Sequence, residues 1–171
     1  MFLELIAAFA ASFAAAGLVM LLNLITGGRL PKWLMPAAAG AALFGYAVWS
    51  EYSWYDRVAG ELPQGVDVTF VNEARVMWKP WTFAAPYVNR FVALDTLSIR
   101  TNAAVPHQRV MDVYFYGRWS RRTGIEIVVD CAAGAVAPLP SATLDDNGAA
   151  TDDAAWAPPL DGDSTLEVAC A

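Results

Sequence analysis

The chain opens on an unbroken apolar run. Within residues 5–25 only Ser12 and Asn23 are polar and nothing is charged. At about 1.5 Å of rise per residue, a helix over this run crosses the roughly 30 Å hydrocarbon core of a bilayer. A second apolar run, residues 34–49, is shorter, but Tyr46, Trp49, Tyr52, Trp54 and Tyr55 extend it with an aromatic belt suited to headgroup level. The pattern predicts two membrane-spanning helices, about residues 5–26 and 33–52, joined by a turn at 27–32.

Beyond residue 55 the period changes. Val66, Val68 and Phe70 alternate with Asp67 and Thr69, which predicts a strand entered through a turn at Pro63 and Gly65. Residues 90–99, 109–116 and 126–131 are three further strand candidates, and their short separations predict antiparallel hairpins or a meander. Leu166, Val168 and Cys170 alternate as a last strand. The intervening residues 132–163, rich in Ala, Pro, Asp and Gly, predict a mobile acidic surface loop that buries little and is dispensable for folding as long as Cys131 and Cys170 stay bonded. The expected fold is thus an α+β membrane protein. A transmembrane helical hairpin (1–55) precedes a small antiparallel β-rich exported domain (56–171) with one disulfide.

Charge gives the hairpin a direction. Arg29 and Lys32, the only basic residues among the first fifty, both sit in the turn, whereas Glu4, Glu51 and Asp56 flank the apolar runs. Because positive charge stays inside, the turn is expected in the cytoplasm and the domain on the periplasmic side of a bacterial inner membrane, in a multi-pass protein. The competing reading is a cleaved secretory signal, with a cleavage-like site at Ala14, Ala15, Ala16 and Gly17. It fares worse because no Lys or Arg precedes the apolar run and the run continues past that site. Ala7, Ala11 and Ala15, and Ala41 with Gly45, recur at four-residue spacing and predict close helix packing, on each other or on a larger complex, with Phe9 and Phe13 facing lipid or a partner. Asn23 is expected to hydrogen-bond at the helix end.

The net charge of −6 is unevenly spread. Arg75, Lys79, Arg90, Arg100, Arg109, Arg118, Arg121 and Arg122 crowd residues 73–130, while residues 131–171 hold acids and no base. This split suits docking between parts of one domain, or a basic face toward anionic lipid. Location and acidic balance argue against nucleic acid as a partner. Two clusters are candidate interaction surfaces: Arg75, Trp78, Lys79, Trp81 and Tyr87, and Arg118, Trp119, Arg121 and Arg122. The first has the composition of a segment that lies at a headgroup surface or against a membrane partner, or else fills the core. The second suits an anion or anionic lipid, against the reading of a hairpin tip with solvating charge, which its composition favours.

Cys131 and Cys170 are the only cysteines, without a C-x-x-C and beside a single histidine, so neither a thioredoxin-like pair nor a zinc site is expected. In an exported domain they are expected to be bonded. Cys131 continues the apolar face of Ile125, Ile127 and Val129, and Cys170 that of Leu166 and Val168. His107 reads as a solvated loop residue. Asp145, Asp146, Asn147 and Gly148, and Asp161, Gly162 and Asp163, resemble calcium loops but lack the twelve-residue pattern with its closing glutamate. No nucleophile, base and orienter set is visible, so the expectation is no enzyme, no metal and no cofactor.

Asp95-Thr96-Leu97-Ser98-Ile99, then Asp112-Val113-Tyr114-Phe115, then Val129-Asp130-Cys131, and a final Val168-Ala169-Cys170 together resemble the surface-adhesin protein E-like family, over about residues 88–171. The resemblance implies a small exported antiparallel sheet with helical additions and two bonded cysteines. The family's members are usually secreted or lipid-anchored, and this chain departs from them in carrying a helical hairpin, so host-ligand binding is not carried over. Two function classes follow. In the first, the chain is an accessory or structural subunit whose helices pack into an integral membrane complex. In the second, it is a free-standing envelope module that binds a ligand or protein.

Overall fold

The computed structural model describes residues 2–141, 144–145, 148–151 and 154–171. It contains two compact units, Met1–Trp54 and Tyr55–Ala171.

The first unit is helical. α1 (Phe2–Ile25) and α2 (Leu34–Tyr52) match the expected helices within a few residues. Residues 3–25 of α1 are long and apolar enough to cross a membrane, and among the described helices no other meets that criterion. The aromatic belt that was to extend the second run dilutes its hydropathy, and α2 does not meet the same measure. α1 and α2 pack on each other, and the buried Ser50 hydroxyl donates to Glu4 Oε1 at 3.2 Å. Ala7, Ala11 and Ala15 are half-buried as the small-residue ridge predicts, but Ala41 and Gly45 face outward. Leu34, Ala38, Ala42 and Tyr46, at the same four-residue spacing, are among the partly covered positions on α2. Phe9 and Phe13 are exposed. Asn23 does hydrogen-bond at the helix end: its Oδ1 accepts the Leu30 N–H of the following turn at 3.0 Å.

The second unit is one curled antiparallel sheet, entered through a short helix, α3 (Trp54–Gly60). Its strands are β1 (Val66–Ala74), β2 (Tyr87–Asp95), β3 (Arg100–Asn102), β4 (Val105–Gly117), β5 (Thr123–Asp130) and β6 (Ala135–Pro138). They pair in the order β1-β2-β4-β5-β6, with β3 beside β4, which is the expected meander with two short strands, β3 and β6, added. The run predicted to be strand throughout 90–99 stops at Asp95 instead. There Asp95 Oδ1 takes the Leu97 N–H at 3.0 Å and Thr96 donates from its backbone N–H and its hydroxyl to Gly65 O, so a tight turn replaces the ladder. Gly65 has φ +85°, and a Cβ there would lie 2.6 Å from Leu97 Cγ, so both backbone and space require glycine.

Register sorts the side chains onto two faces. Leu94, Met111, Val113, Ile127 and Val129 form the core on one face, with Val136, Cys131 and Cys170 packed against it. This face is covered by α4 (Thr165–Cys170). A strand was expected here, and the correction has a local cause. Asp163 Oδ1 accepts the Thr165 N–H at 2.8 Å, Ser164 donates backbone and side-chain bonds to Thr69 O, and Thr165 meets the Thr69 hydroxyl. Those contacts start a helix and leave no free ladder for a strand. Arg109 Nη1 takes the carbonyls of Ala169 and Ala171 at the helix end. The disulfide is present as expected, with Cys131 and Cys170 Cα atoms 5.8 Å apart.

The opposite face holds Val128, Ala137, Ala150 and Ala154, with Val110, Leu139 and Trp156 against them. The stretch 132–163 is therefore not the core-free loop its composition suggests. β6 pairs along β5 from Ile127 to Asp130, and the alanines, too small to register as core formers, fill tight space against Val128. Deleting residues 143–153 should consequently destabilise the domain by about 1.5 kcal/mol or more, because it bares the Val128 and Ala137 surface. Chemical denaturation of the shortened chain checks this.

Asp130, at the end of β5, collects the N–H groups of Ala132 and Ala133 at 2.9 Å each. Burial alone would raise its pKa, but the Ala133 and Ala132 N–H groups, the Gln108 amide and nearby His107 together hold it below the usual value of 3.8. A depressed carboxylate stabilises the fold above its unfolded pKa and loses that contribution as pH falls through its folded one. Stability should therefore fall below about pH 4, and Asp130→Asn should flatten part of that fall in an acid titration followed by circular dichroism.

Candidate functional site

Both candidate interaction clusters leave from one end of the sheet. β1 ends at Ala74 opposite Tyr87, where β2 begins, so residues 75–86 loop off that end. β4 ends at Gly117 opposite Arg90, and the Arg118 N–H donates to Asn89 O at 2.9 Å, so the turn of Arg118, Trp119, Arg121 and Arg122 leaves from the same place. The meander makes neighbours of two segments far apart in sequence. The disulfide follows the far end of β5, away from both.

The 75–86 segment is built as a firm loop. Thr82 is fully buried; its hydroxyl accepts the Val76 N–H at 2.9 Å and donates to Lys79 O at 2.7 Å, and Pro80 opens a single 3-10 turn over Pro80–Phe83. Not every expected surface residue is at the surface. Tyr87 is buried, and so are Lys79 and Arg118, each only 8 % exposed. Lys79 Nζ lies 4.5 Å from the Trp78 ring centroid and 5.1 Å from that of Tyr87; Arg118 Cζ lies 5.0 Å from that of Trp119. Cations in such positions attract the ring faces by about 0.5 to 2 kcal/mol. They act as supports for the two tryptophans, which are 73 % and 64 % exposed.

The surface that results is aromatic and basic. Trp78, Trp81 and Trp119 are exposed together with Met77 and Phe83. Arg75, Arg90 and Arg121 are exposed and, among the described residues, pair with no carboxylate. Arg122 folds back over β4, its guanidinium 5.1 Å from the Tyr114 ring, and donates to the Tyr116 hydroxyl at 3.5 Å. Met77 is not singled out by the sequence, and Arg90 counts among its basic residues but belongs to neither cluster. Only the pairing of β2 with β1 and β4 brings Arg90 here, and Met77 lacks the aromatic signal that marked its neighbours. Tyr55, where the chain enters this unit, packs edge-on against Phe91, which stacks on Tyr116 one residue from the end of β4.

The other candidates settle into structural roles. His107 lies in β4, not in a loop, with Nε2 3.7 Å from Asp130 Oδ2. Asp145 accepts the Ala149 N–H and Asp163 starts α4, so each spends its carboxylate on backbone. Asp146 and Asn147 lie outside the described residues. No group of carboxylates, histidines or cysteines able to hold a metal ion occurs among the described residues. No family model matches the chain, and no curated protein or solved structure does so either.

Proposed function

We propose that this chain is an accessory subunit of an integral membrane complex, anchored by α1 and α2 in the inner membrane with residues 27–32 in the cytoplasm and residues 55–171 in the periplasm. In this reading the sheet end that carries Trp78, Trp81 and Trp119 meets its integral partner at headgroup level, and the chain performs no catalysis. The observation that carries it is the gathering of both aromatic and basic clusters at one end of the sheet, with Lys79 and Arg118 holding two tryptophans outward. Exposed apolar groups of this number are costly in water unless a partner covers them, and tryptophan beside arginine suits the headgroup zone. The exposed apolar length of α1 supports the anchor. The resemblance to the surface-adhesin protein E-like family supports an exported sheet and supplies no ligand.

Two results test it. A C-terminal alkaline phosphatase fusion should be active, and an inactive one overturns the orientation. Trp78→Ala with Trp119→Ala should leave thermal stability within about 1 kcal/mol, as surface changes do, while weakening association with the membrane partner at least tenfold. A loss of about 3 to 5 kcal/mol, the cost of emptying a core aromatic, with association intact would return these residues to a packing role.

A further inference from the structure

Where α1 passes into α2, the first unit leaves an open groove of about 960 Å³. Pockets that hold drug-sized ligands span about 300 to 1,000 Å³. Met20, Leu24, Leu30, Pro31 and Met35 give it apolar walls, and Gly17 and Lys32 also line it. A Cβ added at Gly17 would meet nothing within 4 Å, so this glycine leaves space that nothing in the chain fills. Arg29 lies three residues from Lys32 in the same turn, and neither has an acidic partner among the described residues. The one uncharged polar side chain in the wall, Asn23, spends its oxygen on the Leu30 N–H.

We infer that this groove holds one anionic phospholipid, with an acyl chain along Met20, Leu24 and Met35 and the phosphodiester at Lys32 and Arg29. The inference rests on the membrane reading above. Charge decides the occupant. An apolar trough alone would accept any lipid tail or a third helix, but Lys32 in its lining, with Arg29 in the same turn, favours a negative headgroup. A partner helix would have to bring an acid to the same place and bury it.

The test uses the full chain, extracted in mild detergent and incubated with equimolar phosphatidylglycerol and phosphatidylcholine of identical acyl composition. Retained lipid is counted by native mass spectrometry. The expected result is one retained lipid per chain, with phosphatidylglycerol favoured about tenfold. Arg29→Gln with Lys32→Gln should bring the ratio to near one. Gly17→Leu, which fills the groove and keeps the charges, should remove the bound lipid of either kind. Arg100→Gln, in β3 of the sheet unit and outside both interaction clusters, should change nothing. Equal retention by the unaltered chain, retention unaffected by Gly17→Leu, or an equal loss on Arg100→Gln would overturn the site. So would a stoichiometric protein in place of lipid that Gly17→Leu releases. A chain that washes off membranes in alkaline carbonate overturns both this inference and the membrane reading; an embedded chain with no lipid preference overturns this inference alone.

Discussion

Phe91→Ala should cost the sheet unit about 3 to 5 kcal/mol, the range for emptying a buried aromatic. Phe91 is 1 % exposed, takes the edge of Tyr55 at 5.5 Å between centroids, and stacks on Tyr116 at 4.6 Å with the planes 4° apart. Removing the ring opens a cavity, ends two aromatic contacts and frees Tyr55, the point at which the chain joins the sheet. Domains of this size are stable by about 5 to 15 kcal/mol, so the loss is a large share of the whole. Urea denaturation followed by near-ultraviolet circular dichroism measures it. A cost under about 1 kcal/mol, typical of a surface position, would mean that α3 and the sheet do not pack as described.

Breaking the disulfide should cost about as much. The bond closes 39 residues, and on the chain-entropy account that constraint is worth about 4 kcal/mol. Its local consequence is larger than the number suggests. α4 has six residues, far below the length at which a helix persists alone. It is held by Cys170, by Arg109 at its last carbonyls and by the Thr69 contacts at its start. Cys131→Ser, Cys170→Ser and reduction of the unaltered protein should therefore give matching losses of stability and uncover the face around Met111 and Val129. A Cys131→Ser protein as stable as the unaltered one would show that the remaining contacts suffice.

The two apolar runs and the alternating strands were legible because their periods are long or repeated. Helix limits fell within a few residues, and Ile125, Ile127, Val129 and Cys131 do share one face. Three features were not legible, each for a physical reason. Leu166, Val168 and Cys170 fit period two as well as one helical turn, and only the tertiary bonds of Ser164 and Thr165 to Thr69 decide between them. Ala137, Ala150 and Ala154 form core through small volume instead of hydrophobic length, so composition reads their segment as a loop. Burial of Lys79 and Arg118 depends on segments remote in sequence, Tyr87 beside Lys79 and Asn89 bonded to the Arg118 backbone, which adjacent tryptophans do not reveal. The interaction surface was found as two clusters of residue types, but their union at one end of the sheet is a product of strand order.

The central claim is that this chain works as part of a membrane assembly, and native mass measurement of the protein extracted in mild detergent from its own membranes tests it most directly. The account predicts a large assembly of defined mass containing an integral membrane protein, dissociated by Trp78→Ala with Trp119→Ala. Migration of the unaltered chain alone would contradict it and favour the free-standing envelope module.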